Sequence, residues 1–378
     1  MQALAILRNV EKRREWFKSI LRQLVEQESP SEDRARVNAV LELVIGLARE
    51  HKARVKRHRQ REFGDVLELR FGSTRSTQKP VLLLGHLDTV WPMGTLKKMP
   101  WREAGGRYWG PGVLDMKAGV VMALTAVAVL REMELSRPVT LLLNSDEEVG
   151  SPISRAITER LALESSAVFV LEPAQGLAYK TTRKGVGLYH VEVAGVGAHS
   201  GVDFERGHSA VLELAKQVEA ISNFTDLKRK LTVNCGIIAG GTRSNVVPSY
   251  AHTEVDVRIA KASDASYVDK LFRKLKVSDP HCKLTITGGI NRPPMERKSG
   301  TVALFKKARV TAGELGFVLD EASTGGGSDG NFTAALGVPT LDGMGAVGEG
   351  AHAAHESVVI EHLMPRTALL AAMICDVE

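Results

Sequence analysis

Three short apolar runs constrain this chain most: Val81-Leu82-Leu83-Leu84, Val139-Thr140-Leu141-Leu142-Leu143 and Ala167-Val168-Phe169-Val170-Leu171. Each is bounded by polar or Gly-rich sequence, the mark of a strand buried on both faces. Between the first two lies the nearly unbroken apolar helix pattern of Ala118 to Met133, and between the second and third residues 151 to 160 read as helix. Buried strands alternating with helices predict a mostly parallel sheet covered on both faces, an α/β domain. Amphipathic patterns predict helices over 4–27, 32–50, 299–316 and 361–377, and a further strand over 337–341. Residues 53–72 read as two strands turning at Phe63-Gly64-Asp65, and Gly105-Gly106 marks a hairpin.

From Gly185 the pattern changes. Val186, Leu188, His190 and Glu192 alternate with Gly187, Tyr189, Val191 and Val193, which is a strand with two unlike faces. A helix over 207–222, strands over 231–239 and 250–260, a helix over 263–276 and a strand over 282–287 follow. This β-α-β-β-α-β order predicts a ferredoxin-like α+β domain over 184–292, inserted into the α/β domain of 1–183 and 293–378. A chain of 378 residues is long enough for two such cores.

Composition sets the other bounds. Hydrophobic residues make up 44% and charged residues 25%, ordinary globular values, and the net charge of +6 is modest. The densest basic run, His51 to Arg61, lacks the interleaved aromatics of a single-strand binder, so no nucleic acid is expected. Cys235, Cys282 and Cys375 are far apart and form no CxxC pair, which argues against a disulfide framework and a thiolate zinc site. No secretory leader and no stretch approaching a membrane span is read from the sequence, so the expectation is a cytoplasmic chain with no membrane partner.

The chemistry gathers at the strand ends. The first run leads into His86 and Asp88, the second into Asp146-Glu147-Glu148, the third into Glu172-Pro173, and the last strand into Ala351-His352-Ala353-Ala354-His355-Glu356. Gly110-Pro111-Gly112 presents a further carboxylate, Asp115, just before the apolar helix. Any one of these is as readily a cap, a surface charge or a strand-end histidine. Ligands of open α/β sheets, however, sit at the carboxyl ends of strands. Massed carboxylates repel one another unless a cation lies among them. Histidine with carboxylates and no cysteine suits Zn²⁺, Co²⁺ or Mn²⁺, and the excess of carboxylates favours two ions over one. Glu147 and Glu148, neighbours on an extended chain, are expected to point opposite ways, one to metal and one to substrate as a proton shuttle.

Nine motifs then resemble one family in order along nearly the whole chain: GHLDTV (85–90), GPGVLDMKAG (110–119), DEEVGS (146–151), LEP (171–173), GVGAHSG (195–201), NVVP (245–248), DVR (256–258), TGGGSDGNF (324–332) and AHAAHES (351–357). The family is the two-zinc aminoacylases and carboxypeptidases, which includes glutamate carboxypeptidases, acetylornithine deacetylases and succinyl-diaminopimelate desuccinylases. The sequence looks most like the bacterial folate-cleaving glutamate carboxypeptidases. The resemblance implies two Zn²⁺, with Co²⁺ or Mn²⁺ as substitutes. It implies His86, Asp115, Glu148, Glu172 and His352 as ligands, Asp115 bridging and followed by a cis peptide, and His355 as the rival to His352. It further implies Glu147 as general base and acid, Asp88 orienting His86, and His199 stabilising the oxyanion, in cis or from a partner subunit. Arg258, Asn245, Gly326, Gly327 and Ser328 would contact substrate. The inserted domain would be a lid and dimerisation domain. The implied reaction is hydrolysis of a peptide or N-acyl amide bond beside a free carboxylate, and Glu172 leans towards carboxypeptidase or deacylase chemistry. The alternatives are N-acyl-amino-acid deacylation, aminopeptidase or dipeptidase action and, remotely, a non-catalytic metal-binding member.

Two other matches fail on context. Gly326-Gly327-Ser328-Asp329-Gly330 fits the nucleophile-elbow spacing but follows a polar stretch where an apolar strand is needed. Gly343 to Gly348 fits GxGxxG without the strand-helix-strand unit that would use it.

Overall fold

The computed structural model describes residues 2–73, 76–135 and 137–377. The chain divides into two compact units: Met1–Thr182 with Arg297–Thr324 and Ser328–Glu378, and Arg183–Glu296 with Gly325–Gly327.

The larger unit is built on a six-stranded sheet in the order Arg54–His58, Val66–Phe71, Val139–Asn144, Val81–His86, Ala167–Val170, Thr340–Leu341. The last four strands pair in parallel. The first two form an antiparallel hairpin that joins Val139–Asn144 antiparallel, so the sheet is mixed. Val81–His86 and Val139–Asn144 are buried throughout, which is why their sequence reads as continuous apolar runs rather than alternation. The helix Ala118–Glu132 is buried from Ala118 to Leu130 and lies against the sheet. Its approach is close: a side chain on Gly119 would begin 2.1 Å from the Leu171 carbonyl oxygen, so this position requires glycine. The segment Val113–Glu132 is in fact long and apolar enough to cross a membrane, contrary to the expectation from sequence. Its most apolar window is 94% buried within the protein, as a core helix is.

The pattern over residues 4–27 resolves into two helices, Gln2–Glu11 and Arg14–Val25. The apolar period runs through the break, with Val10 and Phe17 both buried, and so hides it. The break lets the first helix pack chiefly on the C-terminal helix Ile360–Asp376 while the second packs on Ala118–Glu132.

The smaller unit is a four-stranded antiparallel sheet in the order Thr232–Gly240, Tyr250–Ile259, Gly185–Ala194, Lys283–Arg292. The helices Ala210–Ser222 and Ser263–Arg273 complete the β-α-β-β-α-β order. Tyr189, Val191 and Val193 face a core shared with Leu214, Val255, Val268 and Phe272. Tyr189 and Phe272 stack with ring centroids 3.9 Å apart. Cys235, Cys282 and Cys375 are free thiols.

Candidate metal centre

The parallel register brings three strand ends together. His86 pairs with Asn144 and Leu84 with Val170, so the chain leaves all three strands at one edge of the sheet. His86 is buried there. Its Nδ1 lies 3.0 Å from the Asp88 backbone carbonyl and 3.4 Å from the Asp88 carboxylate, so both parts of Asp88 orient the ring. The Asp88 carboxylate also accepts from the Ser31 hydroxyl at 2.8 Å and from the backbone N–H groups of Glu147 and Glu148 at 3.3 and 3.2 Å. One buried carboxylate thus sets the register between the first and second strand ends.

Glu147 and Glu148 do not lie on extended chain, as the sequence suggested. Glu147–Val149 is a single tight 3-10 turn, closed by Gly150 at φ +94°. Asp146, just before it, turns back to accept from the N–H groups of Ile153 and Ser154 and so holds the start of the next helix.

Asp115 stands in a loop with non-helical backbone, and its peptide bond to Met116 is cis. The loop is held by Glu356. Its carboxylate accepts from the N–H groups of Gly112 (2.8 Å), Leu114 (2.8 Å) and Asp115 (3.1 Å) and from Trp91 Nε1 (2.8 Å). Asp115 then faces both ways. Its Oδ1 lies 3.3 Å from His86 Nε2, which is 3.6 Å from Glu172 Oε1. Its Oδ2 lies 3.3 Å from His352 Nε2, which is 3.2 Å from Glu148 Oε2. Two donor groups result, His86-Asp115-Glu172 and Asp115-Glu148-His352, sharing Asp115. His352 has φ +62°, a conformation unusual for a side-chain-bearing residue and one that clusters at functional sites.

These residues fit divalent cations. His86 Nε2, Asp115 Oδ1 and Glu148 Oε1 are buried without a hydrogen-bond partner, and each belongs to a residue of the two donor groups. Zinc bonds of about 2.0–2.1 Å in a tetrahedron give ligand-to-ligand edges of about 3.3–3.4 Å. The separations of 3.2–3.6 Å found here match that spacing. Without a cation the histidines take protons instead. Burial disfavours charge on His86, but Asp115, Asp88 and Glu172 outweigh it and hold its pKa well above the usual value. The Asp115 and Glu148 carboxylates push His352 up to about 10. Burial, only partly offset by His352, raises Glu148.

The other expected site residues fall elsewhere. His355 is exposed and belongs to neither donor group. His199 and Asn245 lie side by side in the smaller unit, where Ala198–His199 pairs with Val246–Val247 and the Asn245 carbonyl accepts from Ser200 N–H. The Arg258 guanidinium already makes two 2.8 Å bonds to the Asp256 carboxylate. The carbonyls of Gly326 and Gly327 accept from Arg183. Ser328 is buried, and its hydroxyl donates to Asp342 at 2.6 Å. Sequence reasoning assigned no role to Ser31 or Trp91 and treated Glu356 only as part of a pattern. Their partners lie 57, 265 and up to 265 positions away, where no local signal reaches.

An α/β sheet with two donor groups at its carboxyl edge places them where the ligands of such sheets bind. Residues 82–376 match the family described as Peptidase family M20/M25/M40, and the chain belongs to that family. It is 31% identical over 303 residues to Carboxypeptidase G2 of Pseudomonas sp. (strain RS-16), covering 78% of this chain and 72% of that protein. It is 27% identical over 217 residues to Acetylornithine deacetylase of Myxococcus xanthus, 54% of this chain and 56% of that one. The fold matches that of aminopeptidase PepT from Bacillus cereus ATCC 10987 with a TM-score of 0.77 at 20% identity, covering 96% and 98% of the two chains. It matches the M20 family metallo-carboxypeptidase Sso-CP2 from Sulfolobus solfataricus with a TM-score of 0.74 at 15% identity, covering 95% and 98%. The chain is a hydrolase of peptide or amide bonds, and its family uses divalent metal.

Proposed function

We propose that this hydrolase binds two zinc ions and cleaves an amide bond beside a free carboxylate, as a carboxypeptidase or N-acyl-amino-acid deacylase does. The observation that carries the reading is the shared carboxylate: Asp115 stands between two histidines, each with a further carboxylate of its own. When bound, two divalent ions supply Lewis acidity to a carbonyl and to an attacking water. Asp115, Glu148, Glu172, His86 and His352 hold them. Glu147, outside both donor groups, takes the proton from water as oxygen attacks the carbonyl carbon, then delivers it to the leaving nitrogen as the C–N bond breaks.

His199 donates to the carbonyl oxygen, and Asn245, Arg258 and the Gly326–Gly327 loop contact the substrate; these roles rest on the resemblance and on polar chemistry suited to them. A guanidinium is suited to a carboxylate by bidentate pairing. The Asp256 carboxylate that Arg258 already pairs with keeps a second reading open, in which an aminopeptidase or dipeptidase uses no such contact. A homodimer through the smaller unit is part of the proposal. It is supported by the edge strand Thr232–Gly240, which pairs on one side among the described residues and exposes Ile237 and Ile238 by 52% and 60%.

The test is hydrolysis of N-acyl amino acids, folyl-glutamate and dipeptides by zinc-loaded protein, each beside its C-terminal amide. Cleavage restricted to free acids and abolished by chelator is expected. Equal cleavage of the amides overturns the carboxylate reading, and activity that survives full metal removal overturns the metal one.

A further inference from the structure

The motif TGGGSDGNF (324–332) supplies Gly326, Gly327 and Ser328 as expected substrate contacts and leaves Asp329 without a role. Asp329 is buried, and its carboxylate grips the second strand end from two sides. Its Oδ2 accepts from Asn144 Nδ2 at 2.6 Å, and its Oδ1 accepts from the Ser151 hydroxyl. Asn144 and Ser151 bracket the stretch that carries Glu147 and Glu148. Asn144 ends the strand Val139–Asn144 and lies opposite His86 in the parallel register, so one bracket is fixed beside the first metal donor. Its amide also donates to the Thr158 hydroxyl at 3.1 Å, which ties it to the following helix.

Ser151 shows what the grip requires. Its φ is +59°, directly after Gly150 at +94°. Glycine takes such left-handed backbone without steric cost, and a residue with a side chain does not. The Ser151 N–H donates to the Asp146 carbonyl at 2.8 Å and closes the turn, a bond that glycine could make equally well. What glycine could not supply is the hydroxyl on Asp329. At the entry of the turn, Asp88 accepts from the Glu147 and Glu148 N–H groups at 3.3 and 3.2 Å. The exit of the turn is held through Ser151.

We propose that Asp329 is a positioning residue: through Asn144 and Ser151 it fixes the Glu147–Glu148 turn against the strand pair that ends in His86 and Asn144. The proton acceptor and one metal donor thereby keep their places relative to the other donors. Asp329 belongs to neither donor group, so it acts through the turn. The inference rests on the roles proposed above for Glu147 and Glu148.

The test uses Ser151→Gly in the full chain. This variant removes the hydroxyl and relieves the left-handed backbone, so it separates positioning from folding. At saturating zinc its kcat is expected to fall by about 10- to 100-fold with KM little changed, as a displacement of about 1 Å in a catalytic group does. In competition with a chelator, one of its zinc ions is expected to bind about 10- to 100-fold more weakly. In a Glu147→Gln background Ser151→Gly should lower kcat no further, because the group it misplaces is already gone. Asp329→Asn keeps the shape but turns an NH₂ group on one of the two donors, and it should repeat these effects. Either wild-type kcat or wild-type zinc affinity in Ser151→Gly overturns the proposal, even with a lower urea midpoint, since the contact would then be only structural. The full kcat loss repeated in the Glu147→Gln background overturns it as well. Should Glu147→Gln alone stay fully active, the base assigned under the proposed function fails, and the zinc measurement decides the role of Asp329 by itself.

Discussion

Glu356→Gln is the most informative perturbation of the larger unit. The wild-type carboxylate uses both oxygens. Oε1 accepts from Leu114 and Asp115, and Oε2 from Gly112 and Trp91. Glutamine keeps the shape but has one acceptor oxygen, so one of these pairs must face an NH₂ group, donor against donor. Two bonds to a charged acceptor, worth about 1.5–3 kcal/mol each, are lost, and two buried donors are left unsatisfied. The gain runs the other way: burial pushes the Glu356 carboxyl up, and the amide escapes that penalty. The net expectation is a loss of about 2–4 kcal/mol, read as a lower urea midpoint for the metal-free chain. The same substitution loosens the loop that aims Asp115, so zinc affinity at the shared carboxylate should fall by about 10- to 100-fold. A variant within about 1 kcal/mol of wild type that also binds zinc as tightly would refute the view that Glu356 holds this loop.

Four other outcomes are expected. On the proposed reading, Glu147→Gln should keep the wild-type metal content and lose turnover by about 10²–10⁴-fold in single-turnover assays, since it removes the proposed proton acceptor and no member of either donor group. Gly119→Ala should destabilise by about 1–3 kcal/mol or more in urea unfolding, because the new methyl meets the Leu171 carbonyl at 2.1 Å. Asp256→Ala frees the Arg258 guanidinium of its bidentate partner and should lower KM for free-acid substrates but not for their amides; an equal change in both would remove Arg258 from carboxylate recognition. Asp279 is held at about 2, below the ordinary carboxylate value of 3.8, by the His281 N–H and then His208. Its contribution to stability is therefore complete above 3.8 and lost as pH falls through about 2, which urea midpoints measured across that range would follow.

The parts of this molecule that the sequence displays are those made by short-range chemistry. Val81–His86 and Val139–Asn144 are apolar because both faces are covered, and Gly185–Ala194 alternates because one face is open. The donors are displayed too, since each lies at the end of a strand or within about four residues after a strand or the Gly-Pro-Gly turn. The geometry among them is not displayed. The sheet's mixed character depends on where a hairpin attaches, and a hairpin has the same local pattern on either edge. The break between Gln2–Glu11 and Arg14–Val25 is set by two different packing partners, while the apolar period passes through unchanged. The tight turn at Glu147–Val149 follows from Asp88, some sixty positions away, which draws both glutamate N–H groups onto one carboxylate.

Electrostatic balance explains why these long-range contacts matter at the centre. Asp115, Glu148 and Glu172 converge within ångströms of one another in a largely buried space, and two histidines cannot neutralise them in their neutral forms. The protein lacking metal meets the deficit by protonation: carboxylates keep His86 well above its ordinary pKa and His352 at about 10. Cations that bind here must displace those protons, so their affinity falls as the solution becomes more acidic. Such a site would relax apart if its donors were free to turn away. Asp88 prevents this for His86 and the Glu147–Glu148 turn, and Glu356 prevents it for Asp115. Both are buried carboxylates whose own charge is met by backbone N–H groups, so neither needs a metal to stay in place. His86, the Glu147–Glu148 turn and Asp115 are thus set in place by hydrogen bonds within the chain, and His86 Nε2, Asp115 Oδ1 and Glu148 Oε1 are left buried without a hydrogen-bond partner.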